Sequence, residues 1–292
     1  MKRKGIILAG GAGTRLYPLT KTISKQLLPI YNKPLIYYPL STLMLAGIRE
    51  VLIITTPEDL EKFKALLGDG SQLGIRLEYA AQEEPRGLAE AFLIGEEFIE
   101  NSPTSLILGD NIYYGQGMHG MLQQANSQED GALVFGCHVE DPSRYGIAHF
   151  DKEGKLTEIV EKPENPKSSV AITGLYFYDS TVVEKAKKVR PSPRGELEIT
   201  DLNNLYLEEG KLGLVNLGRG FAWFDTGTFD SMLEASQFIK TVENRQNLMI
   251  GQIDEVAYRM GYTTKEHIET VIRQSKDSKQ SCYLESLIHE NT

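Results

Sequence analysis

The feature that most restricts the fold is an alternation of short apolar runs and helix-like stretches through the first 110 residues. "GIILA" (5–9), "VLIITT" (51–56), "LEYAAQ" (77–82) and "SLILGD" (105–110) are brief and rich in Ile, Leu and Tyr, as buried strands are. Between them, "PLIYYPLSTLMLAG" (34–47), "PEDLEKFKALLG" (57–68) and "GLAEAFLIGEEFI" (87–99) read as helices. In the second of these, Leu60, Phe63 and Leu67 recur at helical spacing and Gly68 supplies a stop. Strand–helix–strand units at this spacing predict a parallel sheet with helices on both faces. Ligands in such sheets bind beyond the carboxyl ends of the strands. The glycines after the first run, Gln82 and Asp110 all fall at such ends, so three distant stretches converge on one crevice.

From about residue 132 the strand-like runs crowd together: "ALVFGCHV", "YGIAHFD", "KLTEIVEKP", "AITGLYFYD" and "KLGLVNL". They predict further strands of a mixed sheet, with helices near 180–189 and 199–210. After Phe229 the chain reads as helical to its end, in two or three segments, and the main boundary falls near 228.

With 292 residues and 32.7 kDa, the chain can bury a large core as one big domain or one domain with an appendage. A net charge of −9 argues against a nucleic-acid partner, which needs a basic face, but leaves phosphorylated small molecules open. Cys137 and Cys282 are isolated, without the spacing of a structural zinc or disulfide framework. "MKRKGIILAGG" has too few apolar residues for a signal peptide, and no run approaches the roughly 18–20 of a membrane span. A cytoplasmic protein with no membrane partner is expected.

The glycine loop itself narrows the chemistry. Gly10, Gly11 and Gly13 precede Thr14 and Arg15. Leu16 stands where a dinucleotide fingerprint needs its third glycine, and "VLIITT" ends without the acidic residue that would hold a ribose. No Gly-Lys-Ser/Thr triplet closes a Walker loop either. Backbone N–H groups freed by glycines, with Arg15 and Lys25 nearby, favour phosphate as the anion.

"LAGGAGTRL", "SKQLLPI" (24–30), "LGDN" (108–111), "VEKP" (160–163), "GELEITD" (195–201) and "WFDTGT" (223–228) occur in that order. In order and spacing the chain resembles the sugar-phosphate nucleotidylyltransferases over essentially its whole length, most closely the glucose-1-phosphate thymidylyltransferase family. The resemblance implies an α/β, Rossmann-like nucleotide-diphospho-sugar transferase fold, with a central mixed, mostly parallel sheet flanked by helices and a C-terminal helical appendage. Residues 1–228 would be the catalytic domain, with a nucleotide-binding part to about 131 and a sugar-binding part from 132, and 229–292 would serve oligomerisation or regulation. The implied reaction makes dTDP-glucose and pyrophosphate from dTTP and glucose 1-phosphate with Mg²⁺, the first step toward dTDP-rhamnose for cell-surface polysaccharide. The same reaction with UTP or another sugar 1-phosphate is the near alternative. A non-catalytic nucleotide-sugar binding protein is the alternative of another class.

Such a reaction forces two polyanions together, so cations must offset their repulsion and stabilise developing charge. By resemblance, Leu8, Gly10, Gly11, Gly13, Thr14 and Gln26 surround the nucleotide, and Arg15 sits on its phosphates and assists the leaving pyrophosphate. Lys25 lies near the reacting phosphates, and Lys162 binds the sugar phosphate. Asp110 and Asp225 match the Mg²⁺ ligands, and magnesium takes few protein carboxylates. Gln82 and Gly87 would read the base; Asn111, Tyr145, Gly146, Glu161 and Ile172 would hold the glucose. An ionised phosphate needs no general base, so positioning and electrostatics carry the catalysis.

His138 and His149 carry no expected chemistry, Cys137 reads as a small buried residue, and Trp223 either flanks the sugar or fills the core. The resemblance further implies a homotetramer inhibited by dTDP-rhamnose at a second site, for which Tyr114, Gly115, His119, Arg219, Glu255 and Arg259 are the candidates. Three places depart from the family pattern: "PRGLAEA" for "PDGLAQA", introducing Arg86 and Glu90; "DTGTF" for "DTGTH"; and "VEKP" for "EEKP". None removes a residue assigned above, and Arg86 adjoins the base-reading Gly87.

Overall fold

Every residue of the first apolar run is buried in strand β1 (Lys4–Leu8), where the alternation of strand side chains sends Ile6 and Ile7 into different cores. The computed structural model describes all residues except 12, 276, 277, 291 and 292. After β1 come a short hairpin, β2 (Pro29–Ile30) and β3 (Lys33–Pro34), then helix α1 (Tyr37–Leu45), strand β4 (Glu50–Thr55), α2 (Leu60–Leu67) and β5 (Arg76–Ala81). Helices α3 (Glu90–Ile94) and α4 (Glu96–Ile99), strands β6 (Thr104–Leu108) and β7 (Asn111–Gly115) and helix α5 (Met118–Asn126) complete the first half. The second half holds β8 (Ala132–His138), β9 (Gly146–Phe150), β10 (Leu156–Glu161), β11 (Val170–Tyr178), α6 (Val182–Ala186), α7 (Ile199–Glu208), β12 (Leu212–Asn216) and β13 (Phe221–Asp225). Helices α8 (Phe229–Gln246), α9 (Ile253–Arg259), α10 (Lys265–Gln274) and α11 (Lys279–Glu290) follow.

The central nine-stranded sheet runs β10-β9-β11-β6-β1-β4-β5, with β8 beside β11 and β12 beside β8. β1, β4, β5 and β6 pair in parallel, while β11 runs antiparallel to β6, β8 and β9. The expected α/β mixed sheet is therefore present. Ile7, Ile53 and Ile107 pack with α1 and α9 on one face; Ile6, Leu52 and Leu106 pack with α3, α6 and α7 on the other. A third cluster seats Ala235 and Ile239 of α8 against Ile30, Tyr38 and Ile112, and a fourth joins α10 to α11. Among the described residues, no helix is long and apolar enough to cross a membrane.

Several local expectations change. The stretch 87–99 holds two short helices that meet at Gly95, which packs so close to the sheet that a Cβ there would lie 3.2 Å from Ile6 and Leu52. The C-terminal part holds four helices among the described residues rather than two or three. The glycine loop leads into the 3-10 turn Thr14–Leu16. The α2 reading holds: Phe63 and Leu67 are buried, and Gly68 ends the helix at φ 61°.

The element that positions the site was not foreseen. β7 and β13 form an antiparallel ribbon outside the main sheet, with Asn111 opposite Asp225. This pairing brings the "LGDN" and "WFDTGT" motifs together across more than 100 residues.

Candidate active site

Two adjoining cavities open beyond the carboxyl ends of β1 and β6, sharing Arg15, Leu88, Leu108 and Asp110. The smaller, about 210 Å³, is lined by the glycine loop with Leu8, Lys25 and Gln26. The larger, about 400 Å³, takes in Asn111, Tyr145, Gly146, Glu161, Lys162, Ile172 and Asp225. Of the residues expected around a nucleotide, all but Gln82 and Gly87 gather in one cavity, and those expected around a sugar phosphate gather in the next.

Local geometry explains the glycines. Gly11 lies at φ 145°, where a Cβ would meet nothing within 4 Å, so the loop turns toward open space. Gly13 is left-handed at φ 55°, and its carbonyl accepts from the Thr20 hydroxyl at 2.9 Å.

At the junction of the cavities, Lys25 Nζ is ion-paired with Asp110 Oδ2. Asn111 Nδ2 donates to the other carboxylate oxygen at 2.8 Å. Burial pushes the Asp110 carboxyl up, but the Lys25 ammonium and these hydrogen bonds outweigh it and hold the group below its usual range. Asp225 moves the opposite way: burial first, then the Asp110 charge, raise it against the pull of Lys25, Arg144 and Arg15. Thr226 fixes the spacing by donating its N–H and hydroxyl to the Asp110 carbonyl at 3.1 and 2.8 Å. The charge of one carboxylate thus disfavours ionisation of the other, and Lys25, Arg144 and Arg15 offset that repulsion at the junction. Among the described residues there is no group of three or more His, Cys, Asp or Glu side chains arranged for a metal. The Asp110–Asp225 pair suits a hard cation that completes its shell with phosphate and water oxygens.

In the larger cavity, Asn111 Oδ1 accepts from Trp223 Nε1 at 2.6 Å and from Gly174 N at 3.2 Å. Trp223 also packs on Tyr145, ring centroids 5.2 Å apart, which places it at the cavity wall. Glu161 accepts from the Thr200 hydroxyl at 2.6 Å and lies 3.2 Å from Lys162 Nζ. Lys162 takes a left-handed backbone, φ 43°, and its N–H donates to the Tyr145 carbonyl at 2.9 Å.

Two cationic lining residues escaped the sequence reading. Arg144 donates to Asp225 Oδ2 at 3.3 Å, and Arg194 reaches both Glu198 oxygens at 2.9 Å. Each adjoins a quoted motif residue, Arg144 beside Tyr145 and Arg194 beside Gly195, which was the signal available.

The base-reading candidates sit behind the loop. Gln82 is 6% exposed, and its Nε2 donates to Glu90 Oε2 at 2.8 Å and to the Gly87 carbonyl at 3.3 Å. Gly87 lies at φ 103°, and a Cβ there would come within 2.5 Å of the Leu197 backbone. Arg86 faces outward and pairs with Glu84 at 3.0 Å.

The second-site candidates are spread around α1. Tyr114 and Gly115 end β7, and Arg219 precedes β13 at the same end of the ribbon. His119 Nδ1 lies 3.2 Å from the Leu45 carbonyl, and Glu255 pairs with Arg259 at 2.7 Å on α9. No hydrogen bond or ion pair among the described residues joins the α9 pair to Tyr114 or Arg219. Elsewhere, His149 is buried beside Glu158 and His138 meets Ser169, both away from the cavities, while Cys137 is half-buried rather than enclosed.

Comparison with known proteins agrees with this geometry. The nucleotidyl transferase family model matches residues 4–242. A glucose-1-phosphate thymidylyltransferase of Neisseria gonorrhoeae is 57% identical over 286 residues, covering 98% of each chain. A crystal structure described as a Bacillus anthracis glucose-1-phosphate thymidylyltransferase in complex with a sucrose superposes with TM-score 0.75 at 41% identity, covering 81% of this chain and 94% of that one. A UDP-glucose pyrophosphorylase complexed with UDP-glucose superposes with TM-score 0.69 at 26% identity, covering 82% and 99%. The chain belongs to the nucleotidyl transferase family and, within it, to the glucose-1-phosphate thymidylyltransferases.

Proposed function

We propose that the protein transfers the thymidylyl group of dTTP to glucose 1-phosphate, giving dTDP-glucose and pyrophosphate. The observation that carries this reading is the junction between the cavities, where Arg15, Lys25, Asp110 and Asp225 meet. A binding module needs pockets but no charged constellation between them.

The nucleotide occupies the glycine-loop cavity and glucose 1-phosphate the larger one. An ionised oxygen of the sugar phosphate forms a bond to the α-phosphorus as the bond to the oxygen bridging toward the β-phosphorus breaks. The attacking oxygen's lone pair becomes the new P–O bond and the pair of the broken bond leaves on pyrophosphate, so no proton need move. Arg15, lining both cavities, holds the departing pyrophosphate, and Lys25 exchanges its Asp110 partner for phosphate. Lys162 anchors the sugar phosphate, with Arg144 and Arg194 adding positive charge to the same wall. Asn111 is fixed by Trp223 and Gly174, and Glu161 by Thr200, ready to bond sugar hydroxyls. Asp110 and Asp225 would hold Mg²⁺, which supplies charge neutralisation at the phosphates. Gln82 and Gly87 face the base.

The same resemblance extends the reading to a homotetramer inhibited by dTDP-rhamnose at the Tyr114–Arg219–Arg259 region. Exposed Phe229 and Leu233 on α8 support a self-associating surface.

Pyrophosphate release, measured across dTTP, UTP, dCTP and dATP with several sugar 1-phosphates, tests the reading. Fastest turnover is expected with dTTP and glucose 1-phosphate, and chelation of divalent cations should abolish it. Binding of both substrates without pyrophosphate release would support the non-catalytic alternative; preference for UTP would support the other nucleotide.

A further inference from the structure

The hydrogen bonds of Gln82 have a consequence for which bases the site can accept. A primary amide offers two N–H donors on nitrogen and an acceptor on oxygen. Here one N–H goes to the Glu90 carboxylate at 2.8 Å and the other to the Gly87 carbonyl at 3.3 Å. Both partners only accept, so the amide nitrogen is the end that faces them. The carbonyl oxygen is left on the opposite side, against Gly10 of the glycine loop. It accepts no hydrogen bond among the described residues and is not among the fully shielded unpaired atoms. A Cβ at residue 10 would lie 2.7 Å from it, so glycine at this position keeps the oxygen uncovered.

We infer that Glu90 sets which pyrimidine the site accepts, by holding the Gln82 amide so that only its oxygen is offered to the base. The inference rests on the proposed reading that Gln82 meets the base. An acceptor alone matches a ring that carries N–H at position 3, as thymine and uracil do. Cytosine presents a lone pair at that atom, so acceptor would face acceptor in a nearly dry site, and the pairing is rejected. Glu90 is a positioning residue in this arrangement: it bonds Gln82 and touches no substrate. Its place at the first residue of α3, half-buried, leaves room for substitution.

The experiment compares kcat/KM for dTTP, dUTP and dCTP in the parent protein and in Glu90→Gln, Glu90→Met, Glu90→Lys and Gln82→Ala, with melting curves for each. Glu90→Gln keeps an acceptor and should retain the dTTP-over-dCTP ratio. Glu90→Met releases the amide and should lower the ratio about tenfold or more, through KM rather than kcat. Glu90→Lys, which can only donate, should draw the Gln82 oxygen toward itself and lower the ratio further. The dTTP-over-dUTP ratio should stay put in all three, since both bases carry the N–H. In the parent protein, dTTP methylated at N3 should bind about tenfold or more weakly than dTTP, which tests the amide's orientation without any substitution. If Glu90→Met and Glu90→Lys hold the ratio within about twofold while Gln82→Ala collapses it, Glu90 has no part in base choice. If Gln82→Ala also leaves the ratio unchanged, the base is not read at Gln82, and both the reading and the inference fall. Parent-like binding of the N3-methyl nucleotide overturns the inference even if the variants do not fold.

Discussion

Lys33 Nζ and Glu243 Oε1 lie 2.9 Å apart with 6% and 0% of their side chains exposed, a buried ion pair joining helix α8 to the β2–β3 hairpin. That hairpin directly follows the turn carrying Lys25 and Gln26. Glu243 also accepts from Asn32 Nδ2 at 2.8 Å and from Ile250 N at 2.9 Å, so its oxygens are fully engaged. Helix α8 thus braces the segment that carries Lys25 to the junction of the cavities. Burial holds the Lys33 amine below its ordinary value, and Glu243 offsets part of that penalty.

Glu243→Ala strands the Lys33 charge, and a loss of about 3–5 kcal/mol is expected. Denaturant unfolding measures it. A base whose folded pKa is depressed binds fewer protons folded than unfolded, so stability rises as pH climbs toward the usual lysine value. The cost of Glu243→Ala should therefore shrink toward about pH 10. A Lys33→Met partner substitution should recover much of it at neutral pH.

The two junction carboxylates should separate stability from turnover. Asp110→Asn and Asp225→Asn are each expected to slow pyrophosphate release about 100-fold or more. Their melting temperatures should move apart: Asp110→Asn removes the partner of Lys25, whereas Asp225→Asn removes a carboxyl that burial and Asp110 already disfavour as an ion. A lowered melting temperature is expected for the first, and an equal or higher one for the second.

Thr228 starts α8 with a capping box: its hydroxyl accepts from Ser231 N at 3.2 Å, and its own N–H donates to Ser231 Oγ at 3.0 Å. Thr228→Ala should cost about 1 kcal/mol, seen as a lower denaturation midpoint with an unchanged slope.

An Arg219→Ala, Arg259→Ala double variant should turn over dTTP and glucose 1-phosphate normally but lose sensitivity to dTDP-rhamnose. Guanidinium groups suit a diphosphate, and Arg259 is half-exposed beside its Glu255 partner. Inhibition that is purely competitive with dTTP and unaffected by the double change would remove the second site. Inhibition kinetics on parent and variant decide between these outcomes.

Short apolar runs in the sequence determined β1, β4, β5 and β6, and helical spacing determined α2, because a buried strand must be apolar along its length while a surface helix shows its period. The glycine loop and Asp110 were legible for a related reason, lying just beyond β1 and β6, while Arg15 and Lys25 were read from their charge and from the family resemblance. Other arrangements only tertiary structure decided. The β7–β13 ribbon pairs residues more than 100 positions apart, and neither strand announces its partner. Gly95 lies where the sheet beneath leaves little room for a side chain, a contact that exists only once the sheet is assembled. Arg144 and Arg194 were passed over because a surface arginine and a cavity arginine look alike until the cavity closes around them. The Gln82 amide shows the limit most clearly. Its type and place were readable, but which end of the amide stays free depends on two acceptors, Glu90 and Gly87, that folding brings to its other side.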